Sequence, residues 1–278
     1  MSVTVMLGGK IDEIGPAIET AIHLTHRMKT TLTGLCAMPD PANSVVYITG
    51  AETVIMGSAA IQSLSEAQDK LVADFKQVFE EESRKAGSWL QAEFRKEIGS
   101  MASHGAAAAS LADAIVLPKD ATESSHPLNA VFEHVLMEAG LPLVLAGNKV
   151  KTSDTCLIAW DGSPLTAKAV RLHMPLIRSY KNVVIAQNQD KLRHRWAHVC
   201  QSSIDRLVEL LQEERLDVSV VNMQGAVSDG IIQAGRDHDV SLIVMGAYGH
   251  NRIGQLLFGG TTSRLLHDDD VPALALCR

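Results

Sequence analysis

The sequence predicts an α/β protein made of two tandem doubly wound domains, each a five-stranded parallel sheet flanked by helices. Three observations carry that prediction. Short apolar runs of strand length alternate with helically spaced segments along the whole chain, the mark of right-handed βαβ units and a mainly parallel sheet with helices on both faces. The alternation restarts after GNKVKTSD, Gly147 to Asp154, a short polar stretch with the composition of a linker. The two halves also close on similar segments, AGLPLVLAG near 139 and DDVPALALC near 269. At 278 residues the chain is long for one core, so a tandem duplication explains the repeat better than one large sheet. The domain boundaries that follow are 1–148 and 154–278.

In the first half, Val3 to Leu7 reads as a strand ended by Gly8-Gly9, and Ile14 to Leu24 has the apolar spacing of a helix. Thr31 to Ala37 is a second strand, closed by Pro39, Asp40 and Pro41. From Ile61, apolar residues at 64, 67, 71, 75 and 78 predict a long amphipathic helix with Glu80 to Glu82 on its outer face. Trp89 to Phe94 is the third strand, Ala106 to Ala112 a short helix and Ala114 to Leu117 the fourth strand. Leu128 to Ala139 is a helix closed by Gly140, and Leu141 to Ala146 the fifth strand.

The second half repeats that order. Cys156 to Trp160 is a strand, and Pro164 to Ile177 a helix whose end Pro175 kinks. Asn182 to Gln187 is a strand, while Ile204, Leu207, Val208 and Leu211 mark an amphipathic helix. Val218 to Met223 is a strand, Ser228 to Ala234 a helix with Ser228 or Asp229 near its N-cap, and Ser241 to Met245 a strand. A glycine-rich turn, a helix ending at Leu266 and a strand from Pro272 to Leu276 complete the chain.

Composition excludes several classes. A net charge of -7 with 4% aromatic residues offers neither a basic field nor stacking platforms for nucleic acid. No apolar run reaches the roughly 20 residues that span a bilayer, and the N-terminus lacks the charged and apolar regions of a secretory signal. Cysteines at 36, 156, 200 and 277 show no metal-ligand spacing, which fits reduced thiols in a cytoplasmic protein.

The stretch with most chemistry is MGAYGHNRIGQLLFGGTTSRLL, Met245 to Leu266. Glycine turns between a strand and a helix aim backbone N–H groups at one point, which suits phosphate oxygens. The plain alternative is a tight turn and close helix packing. Hydroxyls at Thr261 and Thr262 favour phosphate, although neither GxGxxG nor a Walker loop is present. In such sheets ligands sit outside the carboxyl ends of the strands, where strand order reverses. The turn after Met245 is at such an end, and so is Asp161 after Trp160.

These residues resemble the universal stress proteins. Nucleotide-binding members carry a Gly, two residues, Gly, nine residues, then Gly followed by Ser or Thr; here Gly246, Gly249 and Gly259 fit that spacing and Gly260 stands where the hydroxyl is expected. AWDGSP, with Asp161, looks like the family's first loop, in which the acid contacts the nucleoside. The resemblance implies an adenine nucleotide alpha hydrolase-like fold with ATP as ligand, with or without Mg2+. It implies the binding residues Asp161, Met245, Gly246, Gly249, His250, Gly259, Gly260, Thr261 and Thr262. Gly260 removes one hydroxyl and keeps an N–H, a change of about 1 kcal/mol for one neutral hydrogen bond. The resemblance also implies pairing of the two last strands within the chain, beside which a homodimer of whole chains stays open.

The first half departs from the pattern. No glycine lies between Leu117 and Gly140, and its first strand ends in Gly8-Gly9 with no acid matching Asp161. It is expected to be a degenerate partner and scaffold, with Ser124 and Ser125 capping the helix near Pro127. His194 with His198, and His23 with His26, are better read as solvated faces than as metal ligands. Asp268 to Asp270 reads as a solvated turn. GxSxG is absent, and Ser163 is expected to cap the helix at Pro164. No catalytic residue is assigned. The expected role is regulatory or protective in a stress response, against a nucleotide-free interaction scaffold and, third, a slow ATP hydrolase.

Overall fold

A computed structural model describes residues 2–41, 54–191, 197–247 and 260–278. The first half contains β1 (Ser2–Met6), α1 (Gly15–Met28), β2 (Thr31–Met38), α2 (Val54–Ala86), β3 (Ala92–Ile98), α3 (Met101–Ala109), β4 (Ala114–Leu117), α4 (Asn129–Glu133) and β5 (Leu143–Leu145). The last turn of α4 continues as a π-helix over His134–Ala139. The second half contains β6 (Thr155–Trp160), α5 (Pro164–Leu172), α6 (Met174–Ile177), β7 (Asn182–Gln187), α7 (Ala197–Glu213), β8 (Asp217–Asn222), α8 (Val227–Asp237), β9 (Leu242–Gly246), α9 (Gly260–Leu266) and β10 (Ala273–Cys277).

The strands form one ten-stranded sheet in the order β3-β2-β1-β4-β5-β10-β9-β6-β7-β8. Each half is parallel throughout, and the halves meet through antiparallel pairing of β5 with β10, Leu145 opposite Leu274 and Leu143 opposite Leu276. The expected pairing of the last strands is therefore present. Edge pairing thereby joins the two tandem units into a continuous sheet. Central strands such as β4, AIVL, and β10, ALALC, are buried at every residue, as strands covered on both faces must be.

The hydrophobic core divides by face of the sheet, not by half. One cluster runs from Val3, Val5 and Phe75 through to Ile158, Leu207 and Val244, under α1, α2, α5, α6 and α7. The other runs from Met6, Ile115 and Phe132 through to Leu157, Ile231 and Leu274, under α3, α4, α8 and α9. Alternation of side chains across the sheet puts neighbouring strand residues into different clusters.

Polar contacts reinforce the joint. The Arg27 guanidinium of α1 donates to Asp154 Oδ1 at 3.0 Å, Ser153 O at 3.2 Å and Ser179 O at 3.3 Å, and lies 3.9 Å over the Tyr180 ring. Lys181 and Arg27 together hold the Asp154 carboxyl below its ordinary range. The acidic run after α9 is not merely a solvated turn. Lys119 Nζ donates to Asp268 O at 2.7 Å, Asn148 Nδ2 to Asp269 Oδ1 at 2.6 Å and Arg236 Nη2 to Asp270 Oδ2 at 3.0 Å, tying first-half loop, linker and α8 together.

Several element boundaries differ from expectation for local reasons. β3 starts at Ala92 because Trp89 belongs to the turn after α2, its Nε1 donating to Ala86 O at 2.6 Å. α3 starts at Met101 because Ser100 caps it: Ser100 Oγ accepts from Ser103 N, and His104 Nδ1 accepts from Ser100 N. α8 starts one residue before Ser228, with Ala226 as its N-cap, so Ser228 and Asp229 lie in its first turn, near the cap. Neither Ser124 nor Ser125 caps α4; His126 Nδ1 accepts from Leu128 N at 3.1 Å instead. Of His23 and His26, His26 is exposed as expected and meets the Trp89 ring edge-on at 4.7 Å, whereas His23 Nε2 is buried. His194 and the side chain of His198 lie outside the described residues.

Among the described residues no helix is long and apolar enough to cross a membrane. Cys36, Cys156 and Cys277 are free and buried, and burial pushes the Cys36 and Cys156 thiols up to about 12.

Candidate functional site

The site lies where strand order reverses, between β6 and β9. These strands pair only from Cys156 opposite Leu242 to Ile158 opposite Val244. Beyond that rung β6 stays with β7 as far as Trp160 opposite Gln187, and β9 stays with β10 as far as Gly246 opposite Cys277. The carboxyl ends of β6 and β9 thus separate, leaving a crevice outside the sheet at the position where α/β proteins hold ligands.

On the β6 side stands Asp161. Its Oδ1 accepts from Ser163 N at 2.9 Å and from Thr166 Oγ1 at 2.5 Å. Among the described residues its Oδ2 carries no hydrogen bond. Ser163 caps α5 as expected, its Oγ accepting from Thr166 N at 3.2 Å, with Pro164 in the first turn. The carboxylate is therefore fixed by the start of α5 through Oδ1.

On the β9 side stands Gly246. A Cβ there would come 2.9 Å from Leu165 Cγ and 3.4 Å from Thr166 N. Glycine is what lets the end of β9 lie against the start of α5, so the two stretches singled out separately in the sequence meet here. Met245 is 5% exposed and its side chain packs in the core. Gly249, His250 and Gly259 lie outside the described residues. Gly260 is exposed at the start of α9, Thr261 is half-buried and Thr262 buried. Among the described residues a Cβ on Gly260 would meet nothing within 4 Å.

Sequence reasoning missed three buried polar residues at this end of the sheet, Thr166, Gln187 and Asn188. Gln187 Nε2 donates to Asn222 Oδ1 at 2.8 Å, and Asn188 Nδ2 to Gly225 O at 3.1 Å. The signal was the abrupt change from NVVIA to QNQ at the carboxyl end of β7.

The matching crevice of the first half is closed. β1 and β4 pair from Val3 opposite Ala114 to Val5 opposite Val116. Beyond them the chain fills its own opening. Leu128, fully buried, sits where a Cβ on Gly8 would fall 2.9 Å from its Cδ2. His126 Nε2 lies 2.5 Å from where a Cβ on Gly9 would be, and Gly9 takes φ +95°. His126 is held in turn by Asp120, Nε2 to Oδ2 3.6 Å. A groove between the end of α2 and β3, lined by Phe79, Ser83, Leu90 and Phe94 among others, is remote from both reversals of strand order. Among the described residues no cluster of His, Cys, Asp and Glu is arranged to hold a metal ion.

Comparison with known proteins agrees with this geometry. Residues 152–276 match the model of the universal stress protein family. Universal stress protein Slr1230 of Synechocystis sp. is 24% identical over 155 residues, a match covering 53% of this chain and 50% of that relative. The chain therefore aligns with about half the length of its curated relative. Among solved structures, a universal stress protein from Archaeoglobus fulgidus superposes with a TM-score of 0.66 at 14% identity, covering 100% of this chain and 98% of the other. A functionally unknown protein, PA1789, from Pseudomonas aeruginosa PAO1 gives 0.51 at 14% identity, covering 99% and 92%. These two likenesses speak to the fold. The C-terminal half, residues 152–276, thus matches the universal stress protein family, and the chain as a whole shares the mixed α/β fold of a solved universal stress protein.

Proposed function

We propose that the chain binds ATP or a related adenine nucleotide, with or without Mg2+, in the crevice between β6 and β9, and that occupancy governs a regulatory or protective role in a stress response. The observation that carries this reading is the parting of β6 and β9 beyond Ile158 and Val244, with Asp161 on one lip and Gly246 on the other. Asp161 Oδ2 would take a ribose hydroxyl, since an ionised carboxylate only accepts hydrogen bonds. The backbone from Gly246 onward and the N–H and hydroxyl groups at Gly260 and Thr261 would take phosphate oxygens. Met245, Gly249, His250, Gly259 and Thr262 complete the proposed set. The units 1–148 and 154–278 would then divide the work, the first as scaffold and the second as receptor.

A nucleotide-free interaction scaffold is the second reading. The closure of the first-half crevice by Leu128 and His126 favours it, because one of the two openings is already lost.

Calorimetric titration of the full chain with ATP and Mg2+, beside Gly246→Val and Gly249→Val, separates the two. Saturable binding by the parent, weakened in both variants, is expected; heat-silent titration of a folded parent overturns the nucleotide reading. Product analysis over hours then distinguishes retention of ATP from slow hydrolysis.

A further inference from the structure

The ten-stranded sheet ends in two edge strands of different character, β3 and β8. β3, AEFRKEI, carries Glu93, Arg95, Lys96 and Glu97 along its seven residues. Charged side chains on an edge, lysine above all, discourage pairing with another chain. β8, DVSVVN, carries Asp217 alone. Its register shows which groups face outward: Asp217 N–H donates to Lys181 O and Met223 N–H to Gln187 O. By alternation the N–H and C=O groups of Val218, Val220 and Asn222 point away from β7. Among the described residues no strand lies beyond them.

Of the side chains at this edge, Val218, Val220 and Val221 are apolar, while Asp217, Ser219 and Asn222 are polar and exposed. Val220 is 43% exposed, and Leu210, on the helix that packs over β8, is 38% exposed. Val218, two residues before Val220 and so on the same face, packs against the core cluster that α7 covers. Leu210 and Val220 thus continue one apolar face out to the rim.

We propose that the β8 edge is a homodimer surface, on which β8 of a second copy pairs antiparallel about a twofold axis at Val220. Outward-facing residues must oppose outward-facing residues in such a pair. Centring on Val220 sets it against its own copy, Val218 against Asn222, Ser219 against Val221 and Asp217 against Met223. No like charges meet, and the one carboxylate falls at the end. The same operation on β3, centred on Arg95, opposes Arg95 to itself and Glu93 to Glu97; centred on Lys96 it opposes two lysines. Like charges directly opposite are destabilising. The surface is isologous and closes on itself as a dimer. The β5–β10 joint, an antiparallel pairing of the same kind, is already used inside the chain and is not available to a second copy.

Sedimentation velocity of the full chain over a micromolar concentration series tests this. A dimer is expected, together with slowed hydrogen exchange at Val218, Val220 and Asn222 as concentration rises. Val220→Lys opposes two lysines across the axis and is expected to weaken the dimer by about tenfold or more, with unchanged far-UV circular dichroism. Ile98→Lys, on the β3 edge, is expected to leave the dimer intact. A parent that stays monomeric, a Val220→Lys variant that dimerises like the parent, or a dimer whose β8 amides gain no protection each overturns the proposal. The exchange measurement decides on the parent alone if Val220→Lys does not fold. A monomer whose β8 amides become protected only on adding an extended peptide would assign the edge to a different occupant.

Discussion

Gly260 stands at the point where the spacing of the glycine stretch leads one to expect a hydroxyl, and among the described residues the space beside its Cα is open. Gly260→Ser therefore adds a hydroxyl at the start of α9 with no steric cost, and serine is also the better residue at a helix start. The proposed site gains one neutral donor, so ATP is expected to bind about fivefold tighter, the equivalent of roughly 1 kcal/mol; calorimetry on parent and variant checks this, and equal affinities would remove Gly260 from the site. Gly246 is a different case, since Leu165 and Thr166 need its missing Cβ. The sequence shows both as glycines in a glycine-rich stretch. Only contacts distinguish a glycine that packing requires from one that is merely tolerated. Asp161 was legible because it follows an apolar strand directly, whereas Thr166 was not, because a threonine inside a helix gives no sign that it bonds a carboxylate five residues earlier.

At the scale of elements, the helix after β6 shows both what could be read and what could not. Pro175 announced a break, and the break is there, dividing α5 from α6 at His173. Nothing in the sequence announced that His173 would be wholly buried and donate from Nε2 to Leu276 O of β10 at 3.0 Å, with Nδ1 lacking a partner. Burial lowers its pKa to about 4. The unfolded chain, with an ordinary histidine, binds a proton that the folded chain refuses, so this residue contributes no penalty above about pH 6.5 and a growing one as pH falls towards 4. The loss approaches roughly 3 kcal/mol at the acid end of that window. His23, lowered to about 4 by burial and then by Arg27, acts in the same direction. In His173→Gln, which keeps a side-chain N–H, urea midpoints at pH 7 and pH 4.5 are expected to differ less than in the parent. Of the two edge strands, β8 was read to within one residue and β3 was not. β3 was misplaced because an edge strand shows no alternation of buried and exposed residues, and AEFRKEI looks like a solvated loop.

For the whole molecule, the repeat was legible because both halves keep the same order of strands and helices, whereas the joining of their sheets followed from the family resemblance and not from the strand pattern. Strand pattern shows which face each side chain takes; it does not show whether two edges meet. The two core clusters cross that joint, each on its own face. The halves are therefore expected to unfold together. Trp89 reports on the first half and Trp160 on the second. Single-tryptophan proteins, one with Trp160 and Trp196 replaced by Phe and one with Trp89 and Trp196 replaced, are expected to show coincident urea transitions by fluorescence. Separate midpoints would show that the β5–β10 joint does not couple the halves.

That joint has a further consequence. Two identical subunits that pair through their last strands depend on concentration to stay together, and any residue changed in one changes in the other. Placing both strands in one chain, joined by the short stretch from Gly147 to Asp154, makes the encounter unimolecular and independent of dilution. It also releases the copies from identity. One crevice can then fill with Leu128 and His126 and lose its opening, while the other keeps Asp161 and Gly246 at its lips. A ligand bound as proposed would then occupy one site per chain.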